Sequence, residues 1–250
     1  MLYLGSSLLP SEKAANAKAL ITDWQGFYQQ QAEQAKHPLL KQFYQVGMVP
    51  ADTPIGRVPL LALDMETTGL DPAHNGIASI GLMPMNFSQI QSSQAQQWLL
   101  KPRFELSDSS VTVHRITHSD IAQAPDLEAL LPQLLAHMAG KVIVVHYKAI
   151  ERPFLHAALL ARLGEGIYFP VIDTMELEAR LHRKKPLTWW QKMRGVGQES
   201  IRLAASRTRY NLPPYRPHHA ATDALACAEL LQAQLAKRFS FYTPVGDLWA

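Results

Sequence analysis

The chain has 250 residues and a formal net charge of +3, and 47% of its residues are hydrophobic against 18% charged. These values exclude a disordered chain, and the length allows one α/β domain with a small appendage. No apolar run approaches the roughly 18 residues that a membrane helix needs, so we predict no membrane-spanning segment.

The N-terminal part is predicted to be helical. From Ser11 to about residue 46, apolar residues recur at helical spacing, and Ser11 can cap the start. The pair His37-Pro38 should divide this stretch into two helices, because the residue before a proline disfavours helical dihedral angles. Three prolines and one glycine between residues 50 and 59 mark a junction. We therefore predict a helical extension over residues 1–56, whose apolar face packs on the next domain or docks a partner protein.

The rest of the chain predicts an α/β domain. Short apolar segments indicate five strands, over residues 58–63, 77–83, 96–100, 141–145 and 169–172. Helical patterns cover residues 127–138, 153–163, 201–210 and 219–237, and Pro153 suits the first turn of the second of these helices. Early strands followed by alternating helices and strands indicate a mixed sheet flanked by helices. We assign residues 57–240 to this domain and residues 241–250 to a C-terminal tail.

The strongest chemical signal comes directly after the first predicted strand and reads Asp64-Met65-Glu66-Thr67-Thr68-Gly69-Leu70. Asp64 and Glu66 are two residues apart, so on an extended chain their side chains point to the same face. Adjacent carboxylates repel each other, and a divalent cation such as Mg²⁺ or Mn²⁺ removes that cost. After Glu66, the chain offers hydroxyl and backbone N–H groups at Thr67, Thr68 and Gly69, and Leu70 offers an apolar contact. The alternative is a strand end that is acidic by chance.

A second signal introduces the last predicted helix and reads Pro217-His218-His219-Ala220-Ala221-Thr222-Asp223. Pro217 predicts a helix start just after it, which leaves His218 in the preceding loop and places Asp223 one turn inside. Asp223 can then bind a metal. A histidine, whose reference pKa as a residue type is about 6.5, can take a proton from an attacking water, and we assign this role to His218. We interpret His219 as a bystander, and a helix start with a capping histidine is the alternative.

A third and weaker signal is the segment from His146 to Leu155, which contains Tyr147 and Glu151. Glu151 lies near the start of a predicted helix, where the helix dipole favours a carboxylate. On its own, this position is typical of an ordinary acid near a helix N-terminus.

Together and in this order, the three segments resemble the DEDDh (DnaQ-like) 3′–5′ exonucleases, a family that includes proofreading subunits of bacterial replicative polymerases. The resemblance extends over residues 58–237. The family motif Asp-x-Glu-Thr-Thr-Gly matches at Asp64 and Glu66, and the motif His-x-Ala-x-x-Asp matches at His218 and Asp223. Weaker matches are the strings Val113-His114-Arg115-Ile116-Thr117 and Asp173-Thr174.

The resemblance implies an RNase H-like fold and a metal-dependent exonuclease that releases nucleoside 5′-monophosphates from DNA, preferably single-stranded. It implies two divalent cations, Mg²⁺ or Mn²⁺, held by Asp64, Glu66, Glu151 and Asp223, with His218 as general base. The implied substrate contacts are Thr67, Thr68, Gly69, Leu70, His114, His146 and Tyr147. The implied partners are single-stranded or frayed 3′ ends, with a polymerase or another protein as a further partner.

The second motif departs from the family pattern His-Asn-x-x-Phe-Asp. Glu151 replaces the aspartate and is one methylene longer, so its carboxylate moves by about 1.5 Å. A displacement of about 1 Å in an active site can lower the rate on the order of 10²-fold. We predict that Glu151 remains a metal ligand with weaker or altered metal preference, and that Tyr147, in place of asparagine, can stack on the nucleotide. The alternatives are an exoribonuclease that trims RNA and a non-catalytic module that binds nucleic acid or a polymerase.

Basic residues are concentrated between Arg180 and Arg209. This segment has nine lysines and arginines and one acid, Glu199, so it carries +8, while the rest of the chain carries −5. Such a segment is typical of a surface that binds phosphates, and a solvated loop is the alternative. Trp189 and Trp190 are either stacking platforms for bases or core residues beneath the loop.

The single cysteine, Cys227, excludes an intrachain disulfide. It lies in a helical pattern of alanines and leucines, which indicates a buried structural thiol. One cysteine in 250 residues fits a cytoplasmic or other reducing compartment. Residues 1–10 have an apolar patch without preceding basic residues, so no signal peptide is predicted.

Overall fold

The computed structural model describes residues 21–104, 116–182 and 199–249. In these residues one five-stranded sheet comprises β1 (Leu60–Thr67), β2 (Ile77–Met85), β3 (Gln96–Leu99), β4 (Val142–Val145) and β5 (Val171–Asp173). The strand order is β3-β2-β1-β4-β5. β2 is antiparallel to β1 and β3, whereas β4 is parallel to β1 and β5. The predicted five-stranded mixed sheet is confirmed.

The α-helices of the described residues are α1 (Trp24–Gln34), α2 (Pro38–Gln45), α3 (His118–Ala122), α4 (Leu127–Met138), α5 (Lys148–Leu163), α6 (Thr174–His182), α7 (Leu203–Arg209) and α8 (Ala220–Arg238). α8 packs on β1, β2 and β4, and α5 contacts β1. In the described ranges, none of these helices has both the length and the apolar character needed to cross a bilayer.

The centre of the sheet is deeply buried. Every residue of β2 and of β4 is buried, and in β1 only Asp64 is partly exposed. Continuous apolar strands of this kind are covered on both faces. Each fully buried aliphatic side chain contributes about 1.5–3 kcal/mol. The strand that carries the first two carboxylates is therefore a rigid support.

The described N-terminal residues form two helices, as predicted. Asp23 caps α1 by accepting a hydrogen bond from the N–H of Gly26 at 2.9 Å. Pro38 is the first residue of α2, so the predicted break at His37-Pro38 is confirmed. Buried aromatic residues of both helices belong to the same hydrophobic cluster as the sheet. In the described part of the extension, the apolar face therefore packs on the domain.

Residues after α8 also contact the sheet and the junction. Trp249 forms a β-bridge with Ile172 of β5, and the N–H of Ile55 donates to the carbonyl of Thr243 at 2.8 Å. Leu248 is buried in the main cluster. The division into residues 1–56, 57–240 and 241–250 stays a prediction.

Several element bounds differ from those predicted, and α3 was not predicted. β1 continues through the acidic residues, because Asp64 pairs with Gly81 and Glu66 with Ser79 of β2. α5 begins at Lys148, five residues earlier than the predicted start. α6, directly after β5, was not predicted.

Candidate active site

Three carboxylates meet at the C-terminal end of β1. One oxygen each of Asp64, Glu66 and Asp223 lies within 4.8 Å of the other two. Asp64 and Glu66 share a face of β1 because alternate residues of a strand point to the same side. Asp223 comes from the first turn of α8. The structure thus brings together three of the four predicted metal ligands from two distant parts of the sequence.

Gly81 explains how α8 reaches this end of the sheet. Gly81 lies on β2 opposite Asp64. A Cβ atom added at Gly81 would overlap the backbone of Ala220 and Ala221, the first two residues of α8. Gly81 lies in none of the three sequence motifs. The signal that points to it is a glycine inside an apolar strand, which often marks a close backbone approach.

The cluster is electrostatically unbalanced. Burial raises the pKa of Asp64 well above its usual range, and the charges of Glu66 and Asp223 raise it further. Burial also raises the pKa of Asp223. In the ranges that the structure describes, neither aspartate forms an ion pair with a lysine or arginine. Two aspartates whose pKa values are raised, with Glu66 beside them, fit a divalent cation, whose charge offsets theirs.

Glu151 lies outside the group within 4.8 Å but beside it. It occupies the first turn of α5 and is 4% exposed. Its Oε2 atom is buried and has no hydrogen-bond partner among the described residues. Burial raises its pKa well above the usual range, and the charge of Asp64 adds to this effect. An orphaned buried carboxylate oxygen next to Asp64 fits a metal ligand.

His218 lies in the loop before α8, as the sequence predicts. Its backbone is left-handed, with φ of 71°, and its side chain is exposed. The backbone N–H of His218 donates to Oδ2 of Asp223 at 2.7 Å, which ties the loop to the cluster. His219 immediately precedes the helix, and its Nδ1 lies 3.0 Å from the hydroxyl of Thr222. The two adjacent histidines therefore have different environments.

The loop after β1 presents one apolar side chain to solvent. The hydroxyl of Thr67 donates to the carbonyl of Gly69 at 2.7 Å, and the hydroxyl of Thr68 accepts from the N–H of Gly76 at 3.0 Å. These bonds fix the loop. Leu70 is 46% exposed, which is unusual for a large apolar residue. Its position suits a contact with a bound ligand.

The other predicted substrate contacts lie at the start of α5 or outside the described residues. His146 lies 2.8 Å from the hydroxyl of Thr174 through Nδ1, and burial lowers its pKa to about 4, so it is neutral at pH 7. Tyr147 has a left-handed backbone, with φ of 96°. His114 lies outside the described residues. The substrate contacts of all three residues stay predictions.

The basic side chains next to Glu151 are engaged within the protein. The guanidinium of Arg152 donates to the carbonyl of Phe169 at 2.8 Å and lies over the ring of Trp24. Lys148 pairs with Glu176 at 2.7 Å. Arg152 therefore supports the fold, and Lys148 is already paired with an acid.

Part of the predicted basic surface is also internal. Arg207 is 3% exposed and pairs with Glu229 at 2.7 Å. Arg209 pairs with the fully buried Glu178. The prediction that this whole segment faces a nucleic-acid strand is therefore wrong for Arg207 and Arg209, because buried charges need internal partners. Residues 183–198, with both tryptophans of the segment, lie outside the described residues.

Cys227 is buried, and burial raises the pKa of its thiol well above the usual range. The predicted structural thiol is confirmed.

Comparison with known proteins identifies the family. Residues 61–231 match the model of the RNase_T family, described as exonuclease. The chain is 28% identical over 179 residues to "DNA polymerase III PolC-type" of Thermotoga maritima. It is 25% identical over 181 residues to "DNA polymerase III subunit epsilon-like protein" of Rhodobacter capsulatus. Each alignment covers 72% of this chain, but the chain spans only 12% of the first relative and 24% of the second.

Solved structures show the same fold. Exonuclease X in complex with 5′ overhanging duplex DNA has a TM-score of 0.51 at 22% identity, over 76% of this chain and 98% of that one. The nuclease domain of 3′hExo, a DEDDh family member bound to rAMP, has a TM-score of 0.58 at 15% identity, over 72% and 92%. The predicted RNase H-like fold is confirmed. Because the family model spans more than half of the residues, the chain belongs to the RNase_T exonuclease family, in agreement with the resemblance of its motifs to the DEDDh 3′–5′ exonucleases.

Proposed function

We propose that this protein is a metal-dependent 3′–5′ exonuclease that removes nucleotides from DNA 3′ ends, preferably single-stranded ones. The observation that carries the proposal is the group of Asp64, Glu66 and Asp223 within 4.8 Å, in a chain of the exonuclease family. The polymerase names of the relatives and the DNA bound to Exonuclease X support DNA as the substrate.

The proposed cofactor is a pair of divalent cations, Mg²⁺ or Mn²⁺, held by the three clustered carboxylates and Glu151. The raised pKa values of Asp64 and Asp223 and the orphaned Oε2 of Glu151 are unfavourable features that a cation removes. When bound, such cations lower the pKa of a water and offset the charge that builds up on the phosphate oxygens.

His218 is the proposed general base. An exposed imidazole beside the carboxylates can act as the group that accepts a proton from a water. The hydrogen bond from its backbone to Asp223 keeps it next to the carboxylates. The imidazole of His218 would take a proton from the attacking water, whose oxygen forms a bond to phosphorus while the P–O3′ bond to the preceding nucleotide breaks. The leaving 3′ oxygen takes up a proton from solvent. The phosphate stays on the 5′ oxygen of the terminal nucleotide, which is released as a nucleoside 5′-monophosphate.

The terminal nucleotide is proposed to lie against the loop after β1. The exposed side chain of Leu70 provides an apolar contact, and the backbone of Thr67, Thr68 and Gly69 lies directly beside the carboxylates. The aromatic ring of Tyr147 is proposed to stack on the nucleotide. His114 and His146 remain proposed contacts on the resemblance alone.

The names of the relatives favour a polymerase, or another replication protein, as the protein partner. A cytoplasmic location is proposed from the single cysteine.

The test is a gel assay of 5′-labelled single-stranded DNA and RNA oligonucleotides with Mg²⁺, Mn²⁺ or EDTA. Wild type is compared with Asp64→Ala, which removes a clustered carboxylate, and with Asp52→Ala, which removes an exposed aspartate of the junction. We expect a ladder that shortens from the 3′ end with metal, in wild type and Asp52→Ala but not in Asp64→Ala.

Faster shortening of DNA than RNA supports the proposed substrate, and the reverse replaces it with an exoribonuclease. Intact oligonucleotides of both kinds in every condition, despite measurable binding, contradict catalysis and leave a module that binds nucleic acid.

A further inference from the structure

The start of α5 is held from outside the helix. α5 begins at Lys148, after Tyr147 in a left-handed conformation with φ of 96° and ψ of 73°. The side chain of Tyr147 makes no capping hydrogen bond. Left-handed backbone is unfavourable for a bulky residue, by roughly 1–2 kcal/mol. Something else must therefore stabilise this start.

Asp173, the last residue of β5, supplies the missing acceptors. Its Oδ1 accepts from the N–H of Tyr147 at 3.0 Å, and its Oδ2 accepts from the N–H of Lys148 at 3.0 Å. Oδ1 also accepts from the N–H of Met175, in the first turn of α6, at 2.9 Å. Asp173 is 4% exposed, so water does not compete for these bonds. One buried carboxylate thus holds the starts of two helices.

This arrangement overrides a local preference of the sequence. Pro153 favours a helix that begins close to it, because a proline suits the first turn. As the sixth residue of α5, Pro153 cannot donate the helical hydrogen bond to the carbonyl of Ala149. The turn that contains Glu151 is therefore weak by itself. The hydrogen bonds from Tyr147 and Lys148 to Asp173 keep that turn helical.

The position of Glu151 depends on that turn. Glu151 is three residues after the start of α5, is 4% exposed and has an orphaned Oε2 atom. If α5 began nearer Pro153, the backbone of Glu151 would leave its helical position and its carboxylate would move away from Asp64. Residues that orient metal ligands from behind commonly change metal affinity by about 10–100-fold.

We propose that Asp173 is the positioning residue for Glu151. It holds the second motif in place although Tyr147 stands where the family pattern has asparagine. The proposal rests on the proposed function, because it assumes that Glu151 binds metal. Asp173 uses both of its carboxylate oxygens to accept backbone hydrogen bonds. It acts through the backbone of Tyr147 and Lys148.

The test uses Asp173→Ser in the full-length protein, with Mn²⁺ as the probe. Serine is a good N-cap, so its hydroxyl can still cap α6, but it is too short to reach both N–H groups of α5. The matched control is Asp126→Ser, since Asp126 caps α4 through the N–H of Glu128 and lies near the other end of α5. Folding is checked by thermal melting in EDTA.

We expect isothermal titration to give an Mn²⁺ affinity about tenfold lower for Asp173→Ser and unchanged for Asp126→Ser. In a Glu151→Gln background, Asp173→Ser should cause no further loss, because the residue through which it acts has already lost its charge. Should Asp173→Ser fail to fold, Asp173→Asn takes its place, since its amide has similar volume and keeps one acceptor oxygen.

Wild-type Mn²⁺ affinity in a folded Asp173 variant overturns the proposal, and so does an equal loss with and without Glu151→Gln. Because Mn²⁺ titration requires no hydrolysis, the exonuclease proposal and the proposed role of Asp173 are tested separately. If the protein hydrolyses DNA but Asp173→Ser and Glu151→Gln lower the Mn²⁺ affinity additively, the exonuclease proposal stands and this role of Asp173 is wrong. A protein that hydrolyses no DNA, but in which Asp173→Ser lowers the Mn²⁺ affinity only when Glu151 is present, retains this role of Asp173 and loses the exonuclease.

Discussion

Gly81 on β2 lies opposite Asp64 on β1, and the space that its missing side chain leaves is occupied by the backbone at the start of α8. This contact sets the distance between the strand that carries Asp64 and the helix that carries Asp223. The separation of the carboxylates is therefore controlled by a residue that has no functional group.

Gly81→Ala should strongly reduce activity. The added methyl group overlaps backbone atoms of Ala220 and Ala221, which cannot rotate away, so α8 must shift. We expect a loss of about 1–3 kcal/mol in the free energy of unfolding. We also expect a fall in kcat/KM on the order of 10²-fold. Gly56→Ala is the matched control, because the three atoms nearest to its added methyl group all belong to a side chain, that of Phe241, rather than to backbone. Wild-type kcat/KM in Gly81→Ala would show that α8 does not set the site geometry.

His218→Ala should separate catalysis from metal binding. Loss of a general base lowers the rate by about 10²–10⁴-fold, whereas the backbone bond from residue 218 to Asp223 is kept. The Mn²⁺ affinity measured by titration should stay at the wild-type value. His219→Ala is the control, since its exposed imidazole contacts Thr222, and it should retain activity. A reversed result, with His219→Ala inactive and His218→Ala active, would reassign the base.

Glu151→Gln should stabilise the metal-free protein, and the gain should grow with pH. The pKa of Glu151 is raised in the folded state, chiefly by burial. As the pH rises from about 4 towards that raised pKa, the unfolded chain loses its proton before the folded chain does, so wild type loses stability. Glutamine has no proton to lose. The difference in Tm between variant and wild type in EDTA should therefore increase as the pH rises from about 4 towards the raised pKa of Glu151.

With Mn²⁺ added, wild type should have a higher Tm than Glu151→Gln, because the variant lacks the Glu151 carboxylate that is proposed to bind the metal. Glu33→Gln, at an exposed position of α1, is the control for the loss of one carboxylate far from the cluster, and Mn²⁺ should raise its Tm as much as that of wild type. A Tm difference for Glu151→Gln that is flat across this pH range contradicts the raised pKa of the buried Glu151 carboxyl.

Leu70→Ala should weaken substrate binding without weakening the fold. Its side chain is 46% exposed, so truncation should change the free energy of unfolding by less than about 0.5 kcal/mol. KM for a single-stranded oligonucleotide should rise about 10-fold, the effect expected of roughly 1.4 kcal/mol of lost apolar contact. Leu160→Ala, at a 50% exposed position of α5, should leave KM unchanged. Equal KM values for both variants place the nucleotide elsewhere.

Sequence alone predicted the strands of the sheet and the paired carboxylates well, because both depend on local patterns. Apolar runs identify the buried strands, and the two-residue spacing of Asp64 and Glu66 places both on one face. The loop position of His218 followed from Pro217. The assembly of the distant carboxylates, in contrast, came from the resemblance to a family, since no local rule joins residue 66 to residue 223.

Two incorrect expectations have the same physical cause, which is hydrogen bonding between residues far apart in the sequence. The start of α5 was placed at Pro153 by local rules, but Asp173 moves it to Lys148. Likewise, the basic character of Arg207 indicated an exposed side chain. Its actual partners are the carbonyl groups of Ala226 and Pro213 and the carboxylate of Glu229, which only the folded chain brings near.

The order in which the carboxylates occur along the chain has a consequence for biosynthesis. Asp64 is synthesised early, but Asp223 comes close to it only when α8 packs on β1 and β2. A growing polypeptide on the ribosome therefore lacks the assembled group until residue 223 and the rest of α8 have emerged. Fragments that end before α8 carry the first motif without the carboxylate of Asp223, so the group of three carboxylates does not form in them.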